Sequence, residues 1–277
     1  MSKALETDVF RVRAGETSAA VPDWIAIERP LEIRVQVGGV VQVLSTTMRT
    51  PGEDRALTAG FLFAERVISS GAQLLALEVI DDDAVLVRLD PQAEGAAMAA
   101  RRPFVTSGAC GACGRANLDA LLDLPPVGAG GRDAGDDPAP RLTAAVVHTL
   151  PALLRTAQAT FARTGGLHAA GLFTTDGVLC AVHEDVGRHN AVDKLVGTLL
   201  LQGRLPEPDS VLVVSGRASF ELVQKAAVAG IAVMVAVGAP SSLAVTMARD
   251  AGMTLLGFVR DGGFNIYCGA RRIAGLA

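Results

Sequence analysis

Two thiols three residues apart dominate the chemistry open to this chain, in the stretch Thr106-Ser107-Gly108-Ala109-Cys110-Gly111-Ala112-Cys113-Gly114. Cysteines at that spacing can form a redox pair, supply half of a metal site, or carry sulfur at the tip of a loop. Gly108, Gly111 and Gly114 favour the last, because a backbone without side chains turns freely and comes close to a bound partner. The attacking form is the thiolate, so Cys110 or Cys113 needs electropositive help, for which Arg115, Arg188 and a helix start at Gly114 are candidates. Cys180, in the apolar run Val178-Leu179-Cys180-Ala181, reads as an inert core thiol.

A second cluster, Glu184-Asp185-Val186-Gly187-Arg188-His189-Asn190-Ala191-Val192-Asp193-Lys194, is the densest polar stretch of an apolar half. Asn190 reads as a helix N-cap and Lys194 as a solvated charge. Glu, Asp, Arg and His packed together ahead of the cap could hold a pterin or purine edge by charge-assisted hydrogen bonds, or position a proton donor. Ser215-Gly216-Arg217 and Gly238-Ala239-Pro240-Ser241-Ser242 each follow an apolar run of strand length. Ligands of open α/β sheets bind beyond the carboxyl ends of strands, and helix starts favour phosphate. A nucleotide-like or diphosphate ligand fits these turns, and ordinary turn and cap chemistry also accounts for them.

The elements that must position these groups change character along the chain. Residues 31–47 alternate apolar and polar around Gly38-Gly39, a hairpin pattern, and a second hairpin spans 75–89 with its turn at Asp81-Asp82-Asp83. Thr50-Pro51-Gly52-Glu53 has the form of a capping box opening a helix to about Glu65. A strand near Phe104 leads into the cysteine loop, and 116–122 has a helical pattern. Residues 125–142, rich in Pro and Gly, read as a flexible linker. Beyond it the pattern predicts a helix over 144–162, interrupted at Pro151, and strands at 168–174 and 178–183. Helix 190–201, strand 211–215, helix 219–229, strand 231–237, helix 241–251, and strands 254–259 and 264–268 follow. The expected fold is α/β, with a mostly parallel or mixed sheet carrying helices on both faces and a smaller β-rich N-terminal part. The expected divisions are a poorly ordered segment 1–28, a β-rich domain 29–124 with the cysteine loop, the linker 125–142, and an α/β domain 143–277.

Half of the residues are hydrophobic but only 4% are aromatic, which suits small-residue packing. A net charge of −4 argues against a broad nucleic-acid-binding face. The acidic start Met1-Ser2-Lys3-Ala4-Leu5-Glu6-Thr7-Asp8 lacks the apolar core of a signal peptide, and apolar runs stay strand-sized, so a cytoplasmic protein without membrane partners is expected.

The cysteine loop, Thr164-Gly165-Gly166-Leu167-His168, the 184–194 cluster, Ser215-Gly216-Arg217-Ala218-Ser219-Phe220-Glu221, Ala239-Pro240-Ser241-Ser242-Leu243-Ala244 and Asn265-Ile266-Tyr267 occur in that order. Together, from about residue 30 to 273, they resemble the FdhD family of sulfur carriers needed for formate dehydrogenase activity. The resemblance implies that an IscS-type cysteine desulfurase hands sulfane sulfur to Cys110, with Cys113 as partner. The sulfur then passes to the bis(molybdopterin guanine dinucleotide) form of the molybdenum cofactor before its insertion into the formate dehydrogenase catalytic subunit. It further implies a cytidine deaminase-like C-terminal part, a homodimer, and a pocket that a guanine nucleotide such as GDP also enters. The cofactor-contacting segment maps onto Phe264, Asn265, Ile266, Tyr267, Cys268 and Gly269. Ser215, Gly216, Arg217, His168, Arg188, His189 and Ser241 lie in the matching motifs and are expected to bind the cofactor, with no resident metal.

Two other classes compete. A zinc site could join Cys110 and Cys113 to His168, His183 or His189 in a deaminase-like hydrolase. The zinc deaminases place H-x-E ahead of P-C-x-x-C, whereas here the histidines follow the cysteines and Ala109 stands in place of the proline. A non-catalytic chaperone of formate dehydrogenase would need a surface but no thiols. His148 reads as a helix residue without a role.

Overall fold

The computed structural model describes residues 2–37, 39–99, 105–106, 142–260 and 262–275. The chain opens with a hairpin of β1 (Ala4–Arg13) and β2 (Glu16–Ala26), turned at Gly15 with φ 83°. The expectation of a poorly ordered segment over 1–28 is corrected here. The hairpin has little sequence signature, because most of its side chains stay solvent-exposed and only Ala4 is buried in β1. It is held from outside: the Arg163 guanidinium stacks 4.0 Å over the Trp24 ring.

Next come β3 (Arg29–Val37), β4 (Val40–Arg49), α1 (Asp54–Ala64), β5 (Leu74–Asp81), β6 (Ala84–Leu89), α2 (Pro91–Ala99) and β7 (Val105–Thr106). Both predicted hairpins are present, and the sheet order is β5-β6-β3-β4-β7. Leu31, Ile33 and Val35 of β3 point alternately into the core, as their period-two spacing requires. The capping box at Thr50 does not form. The N-cap of α1 is Glu53, in a left-handed conformation at φ 54°, and Thr50 is drawn away to other partners described below.

After residue 141 the elements are β8 (Leu142–Thr143), α3 (Ala144–Ala157), α4 (Ala159–Thr164), β9 (His168–Thr174), β10 (Leu179–Asp185), α5 (Arg188–Leu201) and β11 (Ser210–Val214). They continue with α6 (Phe220–Val228), β12 (Val233–Ala236), α7 (Ser242–Asp250), β13 (Thr254–Arg260), β14 (Gly263–Cys268) and β15 (Ile273–Ala274). The helix predicted over 144–162 is broken at Gln158, whose ψ of 75° leaves the helical region, while α3 runs on through Pro151. The second sheet has the order β10-β9-β11-β12-β13-β14. It is mixed: β11, β12 and β13 run parallel, while β9 and β14 are antiparallel to their neighbours.

This sheet is covered on both faces. Val147, Leu150 and Leu154 of α3 pack on Phe173, Val211, Val213, Val233 and Val235. The opposite face carries α5, α6 and α7, and its apolar cluster continues without a break into Leu57 and Leu62 of α1 and Ile33 and Val85 of the first sheet. Helices α1 and α5 meet at Gly60 and Gly197. A Cβ on Gly60 would overlap the Asp193 carbonyl, and one on Gly197 would overlap the Ala56 carbonyl. The two backbones therefore touch, and each glycine is required by the close approach.

Gly60→Ala and Gly197→Ala should each force the helices apart and cost about 3 kcal/mol or more. Urea denaturation checks this, and a loss below about 1 kcal/mol would contradict the crossing geometry.

Candidate functional site

The carboxyl ends of β10, β11 and β12 and the start of β9 lie on one edge of the six-stranded sheet, and a cleft of about 510 Å³ opens there. One wall is apolar, built from Pro151 and Leu154 of α3 with Phe161 and Leu167. The floor is the strand edge, with His168, Val186, Ser215 and Val237. Arg155 and Gln158 line the side where α3 gives way to α4. A volume of this size suits a small organic ligand or one ring system of a larger one.

His168 and Ser215 thus lie where the sequence placed a ligand. The Ser215 hydroxyl accepts from the Ala169 amide at 2.9 Å, which leaves its proton to donate elsewhere. Gly216 lies against the His168 ring, since a Cβ there would come within 3.4 Å of Cε1 and Nδ1. Burial foremost, then the neighbouring Arg188 and His189, hold His168 below the ordinary imidazole value, so at neutral pH it faces the cleft uncharged. The adjoining turns are stitched together: the Gly238 amide donates to the Gly216 carbonyl, Ala218 to Ala239, and Ser241 to Ala218. Arg217 is exposed on this surface, its backbone against Gly238. Ser241 acts as the N-cap of α7, accepting from the Ala244 amide at 3.2 Å.

The 184–194 cluster works mainly as a clamp. Glu184 accepts from the amides of Thr160 at 2.9 Å and Phe161 at 2.7 Å, fixing α4 and one side of the cleft. Asp185, fully buried, is held by four donors: the amides of Gly187 and Thr50, the Asn190 side chain, and Lys194 Nζ at 2.8 Å. Lys194 is not the solvated charge expected from sequence, because it is fully buried and also donates to the Thr50 carbonyl at 2.9 Å. Asn190 is not the N-cap, a role that falls to Gly187. Its side chain instead donates to the Met48 carbonyl at 2.7 Å, with Thr47 Oγ1 at 3.2 Å from its Oδ1. His189 Nε2 lies 2.6 Å from Glu221 Oε2 and 3.3 Å from Ser219 Oγ, which joins α5 to α6. Asp193 and Lys225 form a second buried pair at 2.6 Å.

Cys110 and Cys113 lie outside the described residues, as do the expected helix 116–122 and most of the linker. The strand that leads to the cysteine loop is described. β7 pairs in parallel with β4, Thr106 opposite Thr47, the residue that meets Asn190. Thr106, the last described residue before the loop, is therefore paired to the strand whose Thr47 meets Asn190.

Phe264, Asn265, Ile266, Tyr267 and Cys268 form β14, the edge strand beside β13, and Gly269 follows it. They do not line the cleft itself. Phe264 and Ile266 pack with the α3 side, Phe264 at 5.1 Å from the His148 ring, and Tyr267 and Cys268 pack with the other. Burial pushes the Cys268 thiol up, away from a reactive thiolate. Cys180 is exposed rather than a core thiol, since β10 lies at the edge of its sheet. Among the described residues no group of three or more His, Cys, Asp or Glu side chains is placed to hold a metal ion, and no helix is long and apolar enough to cross a membrane. Sequence reasoning missed Thr47, Thr50, Arg155, Gln158 and Phe161. A lone Gln inside a helix pattern and threonines at a strand end carry no distinctive local signal.

Fold and site together define a mixed-sheet α/β protein with a half-apolar ligand cleft at its strand ends. Comparison with known proteins narrows this class. The sequence model of the FdhD/NarQ family matches residues 26–274. The chain is 48% identical over 276 residues to the sulfur carrier protein FdhD of Streptomyces avermitilis, covering 96% of this chain and 94% of that protein. It is 47% identical over 283 aligned positions to the sulfur carrier protein FdhD of Streptomyces coelicolor, with 96% and 94% covered. A crystal structure from Desulfotalea psychrophila, of a protein assigned as a formate dehydrogenase accessory protein, superposes with a TM-score of 0.77 at 25% identity, covering 98% of this chain and 100% of that one. The chain belongs to the FdhD/NarQ family.

The clamp makes one pH prediction. His183, beside Thr198 with Nε2···Oγ1 at 3.0 Å, is pushed down to about 4, by burial first and by Lys194 and Lys3, against the opposing pull of Glu53. The folded state keeps this ring neutral while the unfolded chain takes up a proton near pH 6.5. Stability therefore falls as pH drops from 6.5 toward 4, by on the order of 3 kcal/mol from this group. Urea titrations at pH 7 and pH 4.5 should show a shallower loss for His183→Gln than for the natural chain, and equal losses would contradict the assignment.

Proposed function

We propose that this chain is a cytoplasmic sulfur carrier serving formate dehydrogenase. It takes sulfane sulfur from an IscS-type cysteine desulfurase onto Cys110. It passes that sulfur to the bis(molybdopterin guanine dinucleotide) molybdenum cofactor before insertion into the dehydrogenase. The observation that supports the reading is the parallel pairing of Thr106 with Thr47, which ties the last described residue before the cysteine loop to the strand that meets Asn190. The names and identities of the relatives support the sulfur-carrier part.

The chemistry is consistent with these residues. The Cys110 thiolate attacks the terminal sulfur of the desulfurase persulfide, forming an S–S bond at Cys110 and releasing the desulfurase cysteine as thiolate. Attack by the Cys113 thiolate on the inner Cys110 sulfur then expels the terminal sulfur as hydrosulfide and leaves a Cys110–Cys113 disulfide, the oxidation of the two thiols supplying the two electrons that reduce the sulfane sulfur. That release is productive only with an acceptor in place and is wasteful without one. In the cleft, neutral His168 and the Ser215 hydroxyl offer hydrogen bonds, and the Arg188 charge lies close enough to help keep the His168 ring neutral. The edge strand Phe264–Gly269, a homodimeric assembly and the deaminase-like reading of the α/β part belong to the same proposal.

In cells lacking their own carrier, Cys110→Ala should abolish formate dehydrogenase activity, while Cys113→Ala should lower it sharply, leaving only what a small-molecule thiol supports by attacking the Cys110 persulfide in its place. Full activity of the doubly substituted chain would instead favour a chaperone that needs no thiol.

A further inference from the structure

Gln158 sits at the junction of α3 and α4 and lines the cleft, yet its residue surface is only 3% exposed. Its backbone is fully engaged: the amide donates to the Arg155 carbonyl at 3.3 Å, and the carbonyl accepts from the Ala162 amide at 2.9 Å. Its side-chain nitrogen Nε2 is buried and has no hydrogen-bond partner among the described residues. A buried donor left unmade destabilises the empty fold, so a glutamine here is a poor choice for packing alone. Beside it, Pro151 and Leu154 present a flat apolar wall, and the Arg155 guanidinium lies 3.8 Å over the Phe161 ring on the same side of the cleft. An apolar slot with one unused amide donor and one cation fits a planar heterocycle that carries an acceptor on its edge and an anionic substituent.

We infer that Gln158 reads the edge of the heterocycle entering this cleft, its side-chain amide turning out from its buried position to donate to a ring carbonyl oxygen. This rests on the proposed role as carrier to a cofactor containing both pterin and guanine, rings that share a 2-amino-4-oxopyrimidine edge. It adds a specificity residue that the ligand motifs did not include. Adenine would oppose Nε2 with an amino group, donor against donor, and pairs only if the side-chain amide turns over, so it binds more weakly.

The test is binding of GDP, of a free pterin, and of ADP to the purified full chain and to Gln158→Met, which keeps length and apolar volume but removes the donor. No desulfurase is present, so failure of sulfur transfer does not move this readout. The natural chain should bind GDP or the pterin at least about tenfold more tightly than ADP, and whichever binds identifies the ring. Gln158→Met should lose about tenfold for that probe while its Tm stays the same or rises. The inference is overturned by a variant that binds as the natural chain does, by a lower Tm with unchanged binding, or by a natural chain that binds neither ring or does not discriminate against ADP.

Discussion

The structure depends on the contact of two helix backbones. α1, from the first sheet, and α5, from the second, cross with Gly60 and Gly197 against each other's carbonyls. No other residue type permits that approach, and it lets one apolar cluster run from Ile33 through Leu57 and Leu195 to Leu255. The cysteine loop leaves from the first sheet and the cleft belongs to the second. Any splaying of the helices would therefore shift the first sheet, with β7, against the strand ends of the second.

The same seam carries an unusual load of buried charge. Asp185 and Lys194 neutralise each other and tie down the backbone of Thr50, while Asn190 bonds Met48 and meets Thr47. Buried ion pairs contribute little net stability, because desolvation offsets most of their attraction. What this network supplies is register. Asp185 Oδ1 takes donors from Gly187 and Asn190, while Oδ2 takes one from Thr50 in the first half and one from Lys194 in the second, so a sliding motion would strand a charge. Glu184 extends the arrangement to α4 and hence to the cleft wall.

Much of this was legible in the sequence wherever the signal was periodic. The alternation in β3 and β4, the apolar runs of β11 to β13 and the intervening helices all lie within a few residues of their expected positions. Local capping logic failed where tertiary partners outcompeted it. Thr50 and Asn190 both look like caps, yet each spends its polar atoms across the seam. Lys194 looks solvated because its partner Asp185 stands nine positions earlier on a different element. Gln158 was invisible as a helix break, since neither Gly nor Pro marks it and its ψ is set by the packing of α3 and α4. The hairpin at residues 4–26 was missed because alternation means little when both faces are exposed.

As a sulfur carrier, the chain is proposed to hold sulfur on the loop that follows Thr106. Non-reducing peptide mass spectrometry after incubation with a cysteine desulfurase and cysteine tests it most directly. Added sulfur is expected on the peptide containing Cys110, dependent on the desulfurase and absent from Cys180 and Cys268. Unmodified loop cysteines under those conditions, with stoichiometric zinc in the same sample, would contradict it and assign the thiols to a metal site.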